Sequence, residues 1–185
     1  GLAARFENYS DFGTSVTWRA NGRYKLADDN LSIRSSLSTG FRAPSLHQIY
    51  LSNIQTLLSA GTISNQGTYN NESDVVRSLG VGELKEETST NFTLGMAFKP
   101  RPGWYVSVDY YNIAVDDRIV YSSSIASSDE TTQVFQILAD ANITSLKFFA
   151  NAVDTETSGI DVVVDVPGVE LGLGDLDINV AANFS

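Results

Sequence analysis

The chain has 185 residues, with 12 lysine and arginine residues against 22 aspartate and glutamate residues, and a formal net charge of -10 at pH 7. The sequence has no cluster of lysine and arginine residues that could contact nucleic-acid phosphates, which excludes nucleic-acid binding as its role. Because the chain contains no cysteine, disulfide scaffolds, thiolate zinc sites and cysteine nucleophiles are excluded. The sequence has no apolar run of about 18 residues and so does not predict a transmembrane helix.

Residues 1–42 predict three β-strands, each with one apolar face and one polar face. The apolar residues are, strand by strand, Leu2, Ala4 and Phe6; then Val16, Trp18, Ala20, Tyr24 and Leu26; then Leu31, Ile33, Leu37 and Phe41. The residues between them are mostly polar or charged, among them Arg5, Glu7, Arg19, Asn21, Arg23, Lys25, Arg34, Ser38 and Arg42. A period of two residues is typical of a strand with one dry side.

Residues 43–88 interrupt this pattern and predict a long loop. Within the loop, residues 71–80 predict a short helix with Val75, Val76 and Leu79 on one face and Gly80 as its stop. His47, the only histidine, follows Pro44 in a further loop helix. Because no nucleophile motif accompanies His47, we expect a surface residue and not a catalytic one.

Two more strands and a second long loop come next. Their apolar residues are Phe92, Leu94, Met96 and Phe98, and, after a turn at 100–103, Trp104, Val106, Val108 and Tyr110. The second loop covers residues 117–149. In it, residues 127–130 predict a capping box, and Val134, Ile137, Leu138 and Ala141 follow at helical spacing, which predicts a short amphipathic helix.

The last two strands complete a set of about seven. Their apolar residues are Ile160, Val162, Val164 and Val166, and then, after a glycine-rich turn at 167–174, Leu176, Ile178, Val180, Ala182 and Phe184. Most of these strands approach the roughly 9–11 residues that a tilted strand needs to cross a bilayer. The mean hydropathy of -0.08 fits such strands, because lipid-facing and lumen-facing residues alternate in them.

Loop lengths distinguish two architectures that share this alternation. A soluble β-sandwich also has half-buried strands, so a sandwich that serves as an adhesin or carbohydrate-binding module is the alternative. Here, however, short turns at 27–29, 100–103 and 167–174 fall on one edge of the sheet, and the long loops 43–88 and 117–149 fall on the other. This asymmetry is typical of outer-membrane barrels. We therefore predict an all-β fold of antiparallel up-and-down strands, part of a transmembrane β-barrel, with short helices in its two long loops.

One segment indicates a particular protein family, which the alternation of apolar residues does not. Residues 31–46, which contain Gly40-Phe41-Arg42-Ala43-Pro44, closely resemble a barrel segment of TonB-dependent outer-membrane receptors, where a rising strand ends in this motif before a long extracellular loop. Residues 84–95 resemble the return strand of the family, with Glu86 in place of the usual proline. Residues 7–13 and 151–161 are similar to further parts of the barrel. We interpret the corner, Gly40–Pro44, as a strand terminator before any role in ligand binding, because Pro44 cannot donate to a β-ladder.

This resemblance implies nutrient import at the outer membrane of a Gram-negative bacterium. Members of the family bind ferric siderophores, haem, cobalamin or oligosaccharides at the outer face. TonB drives uptake by acting on an N-terminal plug inside a barrel of about twenty-two strands. The implied partners are therefore outer-membrane lipid, a nutrient ligand, and TonB through a plug. We expect residues 1–185 to form part of the barrel domain, without the plug.

Four polar residues of the predicted lumen and loops near the rim are candidates for ligand contact: Arg34, Arg42, Tyr50 and Tyr69. The sequence predicts no enzyme, no cofactor and no metal site. Several aspartates resemble carboxylate pairs for glycoside or metal chemistry, but a wet barrel interior accounts for them. These are Asp109, Asp116, Asp117, Asp161 and Asp165.

Overall fold

The structure is a computed structural model that describes residues 1–9, 13–26, 30–59, 62–170, 172 and 174–185. The strands of the described residues are β1 (Leu2–Tyr9), β2 (Gly13–Leu26), β3 (Leu31–Arg42), β4 (Asn53–Ser59), β5 (Thr62–Thr68), β6 (Glu87–Phe98), β7 (Tyr105–Tyr121), β8 (Ser145–Lys147), β9 (Phe149–Glu170) and β10 (Asp175–Phe184). The helices are α1 (Leu46–Tyr50), α2 (Asp74–Ser78) and α3 (Gln133–Asp140). Within the described ranges, no helix has the length and apolar composition that crossing a membrane requires.

The chain divides into two compact units, which are described separately. The sheet unit contains residues Gly1–Phe41, Thr88–Val115 and Thr155–Ser185, and the loop unit contains Arg42–Glu87 and Asp116–Asp154. Seven strands form one sheet in the order β1-β2-β3-β6-β7-β9-β10, and the other three form a second sheet in the order β4-β5-β8. The strands of the larger sheet follow one another in chain order, as the up-and-down prediction requires.

The larger sheet confirms the predicted all-β fold and its seven strands. The pairs β1–β2, β2–β3 and β9–β10 are antiparallel. The sheet stays open in this chain, because β1 and β10 stand at its two ends. β7 and β9 are longer than predicted, because pairing continues on both strands beyond the residues that alternate, through Tyr121 in β7 and from Phe149 in β9.

Strand register places the predicted apolar residues on one face of the sheet unit. Leu2 of β1 lies opposite Ala20 of β2, and Phe6 lies opposite Val16. These side chains face outward: Leu2 is 88% exposed and Phe6 is 71% exposed. A β-sandwich would bury this face under a second sheet, and no described residue of the unit does so.

The turns of the sheet unit match the prediction in part. The turn at 100–103 is present, and Gly103 has a φ of +84°. The connection between β9 and β10 is shorter than predicted, because β9 continues past Pro167. There the register shifts between Leu176 and Ile178, and the N–H of Gly168 donates to the Asp177 carboxylate at 2.8 Å. An irregular ladder at this point tolerates a proline that has no donor. Residues 27–29, where a short turn was predicted, lie outside the described residues.

The loop unit has an apolar core of its own. Val76 of α2, Leu138 of α3, and Ile143, Leu146 and Phe148 form a buried cluster. β4 and β5 pair in antiparallel fashion, and β5 and β8 pair in parallel. The sequence did not predict these three strands, because their segments are rich in Ser, Thr, Asn and Gln and carry no clear alternation.

Three helices lie in the loop unit, and a helix was predicted at each of these places. α2 buries Val76 as expected, and Gly80 follows it with a φ of +81°. α1 contains the exposed His47 and begins with a capping box formed by Ser45 and Gln48.

The predicted start of α3 was wrong. Its N-cap is Thr132, whose side chain accepts from the N–H of Phe135, and not Ser127. The Asp129 carboxylate instead accepts from the hydroxyl and the N–H of Thr131, and these bonds hold the pKa of Asp129 below its ordinary value. Because this local turn uses Asp129, the helix begins later than the sequence pattern suggests.

Candidate functional site

An ion pair crosses the polar face of the sheet unit from β3 to β7. The Arg34 guanidinium donates to both carboxylate oxygens of Asp109, at 2.8 and 2.5 Å. β6 lies between these strands in the sheet, and Gly95 is the β6 residue beneath the pair. A Cβ at Gly95 would lie 1.8 Å from Asp109 Oδ1 and 2.9 Å from Arg34 Nε. The missing side chain is therefore what allows the pair to form.

A second glycine has the same role farther along the sheet. The Asn183 side chain of β10 donates to the Tyr111 hydroxyl of β7 at 3.2 Å and to the Asp161 carboxylate of β9 at 2.7 Å. A Cβ at Gly159 of β9 would lie 2.5 Å from that hydroxyl. The Arg34–Asp109 and Asn183–Tyr111 contacts each join two strands that are not neighbours in the sheet. Side chains on the polar face therefore connect the strands in addition to the backbone hydrogen bonds.

A cavity of about 540 Å³ opens on this face beside the Arg34–Asp109 pair. Its polar lining residues include Tyr105, Ser107, Asp161 and Asn183. The two aspartates do not act as a free carboxylate pair, because Asp109 binds Arg34 and Asp161 binds Asn183. Hydroxyl, amide and guanidinium groups at such a surface supply hydrogen bonds to a polar solute and suit recognition more than covalent chemistry.

Arg42 belongs to the loop unit and has an acidic partner there. Its guanidinium lies 3.6 Å from the carboxylate of Glu87, a residue that is 5% exposed. The same carboxylate accepts from the backbone N–H of Ile119 at 2.9 Å. A buried carboxylate needs such partners, because an ion without them is costly to remove from water. The sequence pattern did not identify Glu87 as the partner of Arg42.

The two candidate tyrosines have different environments in the loop unit. Tyr50 ends α1 and is 59% exposed. Tyr69 is half-buried and packs against the apolar cluster. A Cβ at Gly67 would lie 2.4 Å from the Tyr69 ring, so the ring can occupy this position only because residue 67 has no side chain. Tyr50 is thus open to a solute, whereas the ring of Tyr69 is largely used in packing.

The four candidate residues do not form one cluster through direct bonds. Arg34 belongs to the sheet unit and the other three belong to the loop unit. No hydrogen bond or ion pair between described residues joins any of the four to another. Asp109 and Glu87 are the ion-pair partners of Arg34 and Arg42: the sequence analysis attributed Asp109 to a wet interior and did not name Glu87. A glycine on the polar face of a strand, such as Gly95, is the one sequence signal that marks the first of them.

Asn151 links two segments of the loop unit by hydrogen bonds. The Asn151 amide donates to the carbonyls of Lys85 and Asp117, at 3.0 and 2.6 Å, and its oxygen accepts from the Lys85 N–H at 2.8 Å. Asp117 has a φ of +57°, which is uncommon for a residue with a side chain. Its N–H is held by the Asp154 carboxylate at 2.9 Å, so two side chains stabilise this backbone conformation.

Glu86 stands where the resemblance places a proline, and its carboxylate is only partly paired. One of its carboxylate oxygens is buried and has no hydrogen-bond partner among the described residues. Leaving a buried acceptor without a partner costs about 1–3 kcal/mol. This position is therefore a point of local weakness next to the Glu87 ion pair.

Comparison with known proteins identifies the fold. The family model described as TonB dependent receptor-like, beta-barrel, matches residues 1–185. The structure is similar to the siderophore receptor PirA from Pseudomonas aeruginosa, with 20% identity and a TM-score of 0.60 over 89% of this chain and 27% of that chain. PirA from Acinetobacter baumannii has 19% identity and a TM-score of 0.60 over 89% of this chain and 22% of that chain.

A third similar structure is a mutant of the ferric enterobactin receptor PfeA from Pseudomonas aeruginosa. It has 16% identity and a TM-score of 0.61 over 89% of this chain and 21% of that chain. This chain thus spans 21 to 27% of the three receptors. No curated protein matches its sequence. Because the family model covers every residue, the chain belongs to the TonB-dependent receptor β-barrel family, a family of receptors and not a class of enzymes.

Proposed function

From this family membership, we propose that the chain forms part of the wall of an outer-membrane receptor in a Gram-negative bacterium that binds a scarce nutrient and imports it. The observation that carries the proposal is the opposite polarity of the two sheet faces. One face exposes large apolar side chains such as Leu2, Phe6 and Phe184, and the other carries the Arg34–Asp109 pair. Lipid on the first face and water on the second would satisfy both.

The loop unit would lie at the extracellular face, formed from the predicted loops 43–88 and 117–149. A separate apolar core supports this role, because it gives long loops a fixed surface without help from the sheet. Arg42, Tyr50 and Tyr69 of this unit, with Arg34 of the sheet unit, are the proposed ligand contacts. TonB would act on the receptor through an N-terminal plug, as the family resemblance implies.

A ferric siderophore is the first ligand to test, since PirA and PfeA are named as siderophore receptors. Haem, cobalamin and oligosaccharides are the other candidates. The full-length receptor is expressed in matched strains with and without TonB, and uptake of radiolabelled ligand is measured for a panel of ferric siderophores, haem, cobalamin and oligosaccharides. We expect uptake only with TonB. Equal uptake in the two strains, for every ligand of the four classes, would contradict the proposal.

The contact residues are tested with a matched pair of arginine variants. Arg42→Ala should weaken ligand binding to the purified receptor, whereas Arg77→Ala should not. Arg77 is a suitable control because it is also an exposed arginine of the loop unit with an acidic partner, Glu83. Tyr50→Ala should likewise weaken binding. Unchanged affinity in both Arg42→Ala and Tyr50→Ala would remove these residues from the site.

A further inference from the structure

The apolar core of the loop unit is built from both long loops. Val76 of this buried cluster comes from the first loop (residues 43–88), and its other members come from the second loop (residues 117–149): Leu138, Ile143, Leu146 and Phe148. Val76 and Leu146 are both fully buried. Half-buried apolar residues of the first loop pack against the same cluster, among them Val75, Leu79 and Val81. Because the first loop supplies one fully buried side chain to the cluster that the described residues form, it has no separate core.

A backbone ladder also joins the two loops. β8 of the second loop has three residues and pairs in parallel with β5 of the first loop. Before the ladder, the Thr144 N–H and hydroxyl both donate to the Asn65 carbonyl, at 2.8 and 2.9 Å. After it, the Tyr69 N–H donates to the Lys147 carbonyl at 3.0 Å. A strand as short as β8 is ordered by its partner, so the second loop depends on the first as well.

Side chains connect the end of the first loop to the start of the second. The Glu87 carboxylate accepts from the Ile119 N–H, and the Asn151 amide donates to the carbonyls of Lys85 and Asp117. Opening either loop alone would therefore expose the shared core, break the ladder and leave these polar groups without partners. All three losses are unfavourable, and they are nearly the same losses that opening both loops would cause.

We propose that the two long loops fold and open as one cooperative body, so that neither loop is ordered without the other. A ligand held by residues of one loop then stabilises the other loop too, because binding to the closed state shifts an equilibrium that both loops share. This inference goes beyond the proposed function, because it holds for any ligand and requires neither TonB nor uptake. A receptor that imports none of the tested nutrients can still open its loops together, so the two proposals fail separately.

Hydrogen exchange of the full-length receptor in detergent, read by mass spectrometry, tests the proposal with Leu146→Ala. This variant leaves a cavity in the shared core and should speed opening about thirtyfold or more. We expect the amides of α3 in the second loop and of β4 in the first loop to exchange faster by the same factor. β4 is a sharp reporter, because it pairs with β5 and not with β8. The amides of β3 should keep their wild-type rates.

Leu46→Ala is the matched control for this variant. It removes the same side chain from the first loop at a position that is 67% exposed. Since no buried contact is lost there, the amides of α3 and β4 should exchange as they do in the wild type.

Replacing the first loop tests the dependence in the other direction. In this variant of the full-length receptor, a short glycine-serine linker takes the place of residues 46–82. The linker can join β3 to β6, because these strands are neighbours in the larger sheet. We expect the amides of α3 and β8 to lose their protection and to exchange at the rates of an unfolded chain, while those of β3 stay protected.

Two results would overturn the proposal. One is Leu146→Ala in which α3 exchanges faster and β4 keeps its wild-type rates, since the loops then open independently. The other is a linker variant in which α3 stays protected, since the second loop then folds alone. If Leu146→Ala also removes the protection of β3, the barrel itself is disturbed, and the linker variant decides the question.

Discussion

The Arg34 guanidinium reaches the Asp109 carboxylate over the backbone of Gly95, so one ion pair joins β3 to β7 across the strand between them. The partners are 75 residues apart in the sequence. The glycine has no conformational requirement here, since its φ is ordinary. It is needed for space alone.

A side chain at position 95 should therefore displace the ion pair. Gly95→Ala is expected to destabilise the receptor by about 1–3 kcal/mol, as overpacking usually does. Gly22→Ala is the control, because Gly22 is also a strand glycine but has no atom within 4 Å of its added Cβ. That variant should be neutral or slightly stabilising, since alanine orders a strand at less entropic cost. Thermal unfolding in detergent measures both, and equal melting temperatures for the two variants would contradict the role of Gly95.

The energy of the ion pair itself should be modest. Arg34 is half exposed, so solvent screens its charge, and a pairing energy of about 1 kcal/mol or less is expected. A double-mutant cycle with Arg34→Gln, Asp109→Asn and the double variant isolates this energy. The coupling should shrink in high salt. Additive effects of the two single variants would show that the contact contributes nothing to stability.

Glu87 should matter more through its backbone bond than through its charge. Glu87→Ala leaves the half-buried N–H of Ile119 without its acceptor, which is expected to cost about 1 kcal/mol. Glu87→Gln keeps an acceptor and should cost less. Glu83→Ala, which removes an exposed carboxylate paired with Arg77, is the control. Limited proteolysis of the loop unit should detect faster cleavage in Glu87→Ala than in the wild type or in Glu83→Ala. If Glu87→Ala is cleaved at the wild-type rate, the bond from Ile119 to Glu87 does not stabilise the loop unit.

Acid should loosen the turn before α3. Since the Thr131 bonds lower the pKa of Asp129 in the folded chain, ionised Asp129 stabilises the turn above its ordinary pKa of 3.8. This contribution is lost as the pH falls below 3.8 through the lowered pKa. Hydrogen exchange of the first α3 amides, corrected for intrinsic rates, should rise over this range in the wild type. Asp129→Asn removes the titrating group, and the same rise in that variant would disprove the role of Asp129.

Several features of the fold were predictable because they depend on neighbours in the chain. Alternation of apolar residues predicted the seven strands, and Pro44 after Arg42 predicted where β3 ends. The start of α3 was missed because Ser127 and Thr132 are both suitable N-caps, and only the folded backbone decides between them. β4, β5 and β8 were missed because their polar segments gain order from pairing and not from their own pattern. The contacts of a ligand with Arg34, Arg42, Tyr50 and Tyr69 remain predictions.

The sequence by itself determined which residues share the apolar face of each strand and which share the polar face, because a strand turns successive side chains to opposite sides whatever it pairs with. It also determined the family, through the corner at 40–44. Only the tertiary structure decided which polar residues meet. Arg34 pairs with Asp109, Arg42 pairs with Glu87, and Arg23 is left opposite Arg34, because strand order and register set these distances and no local pattern encodes them.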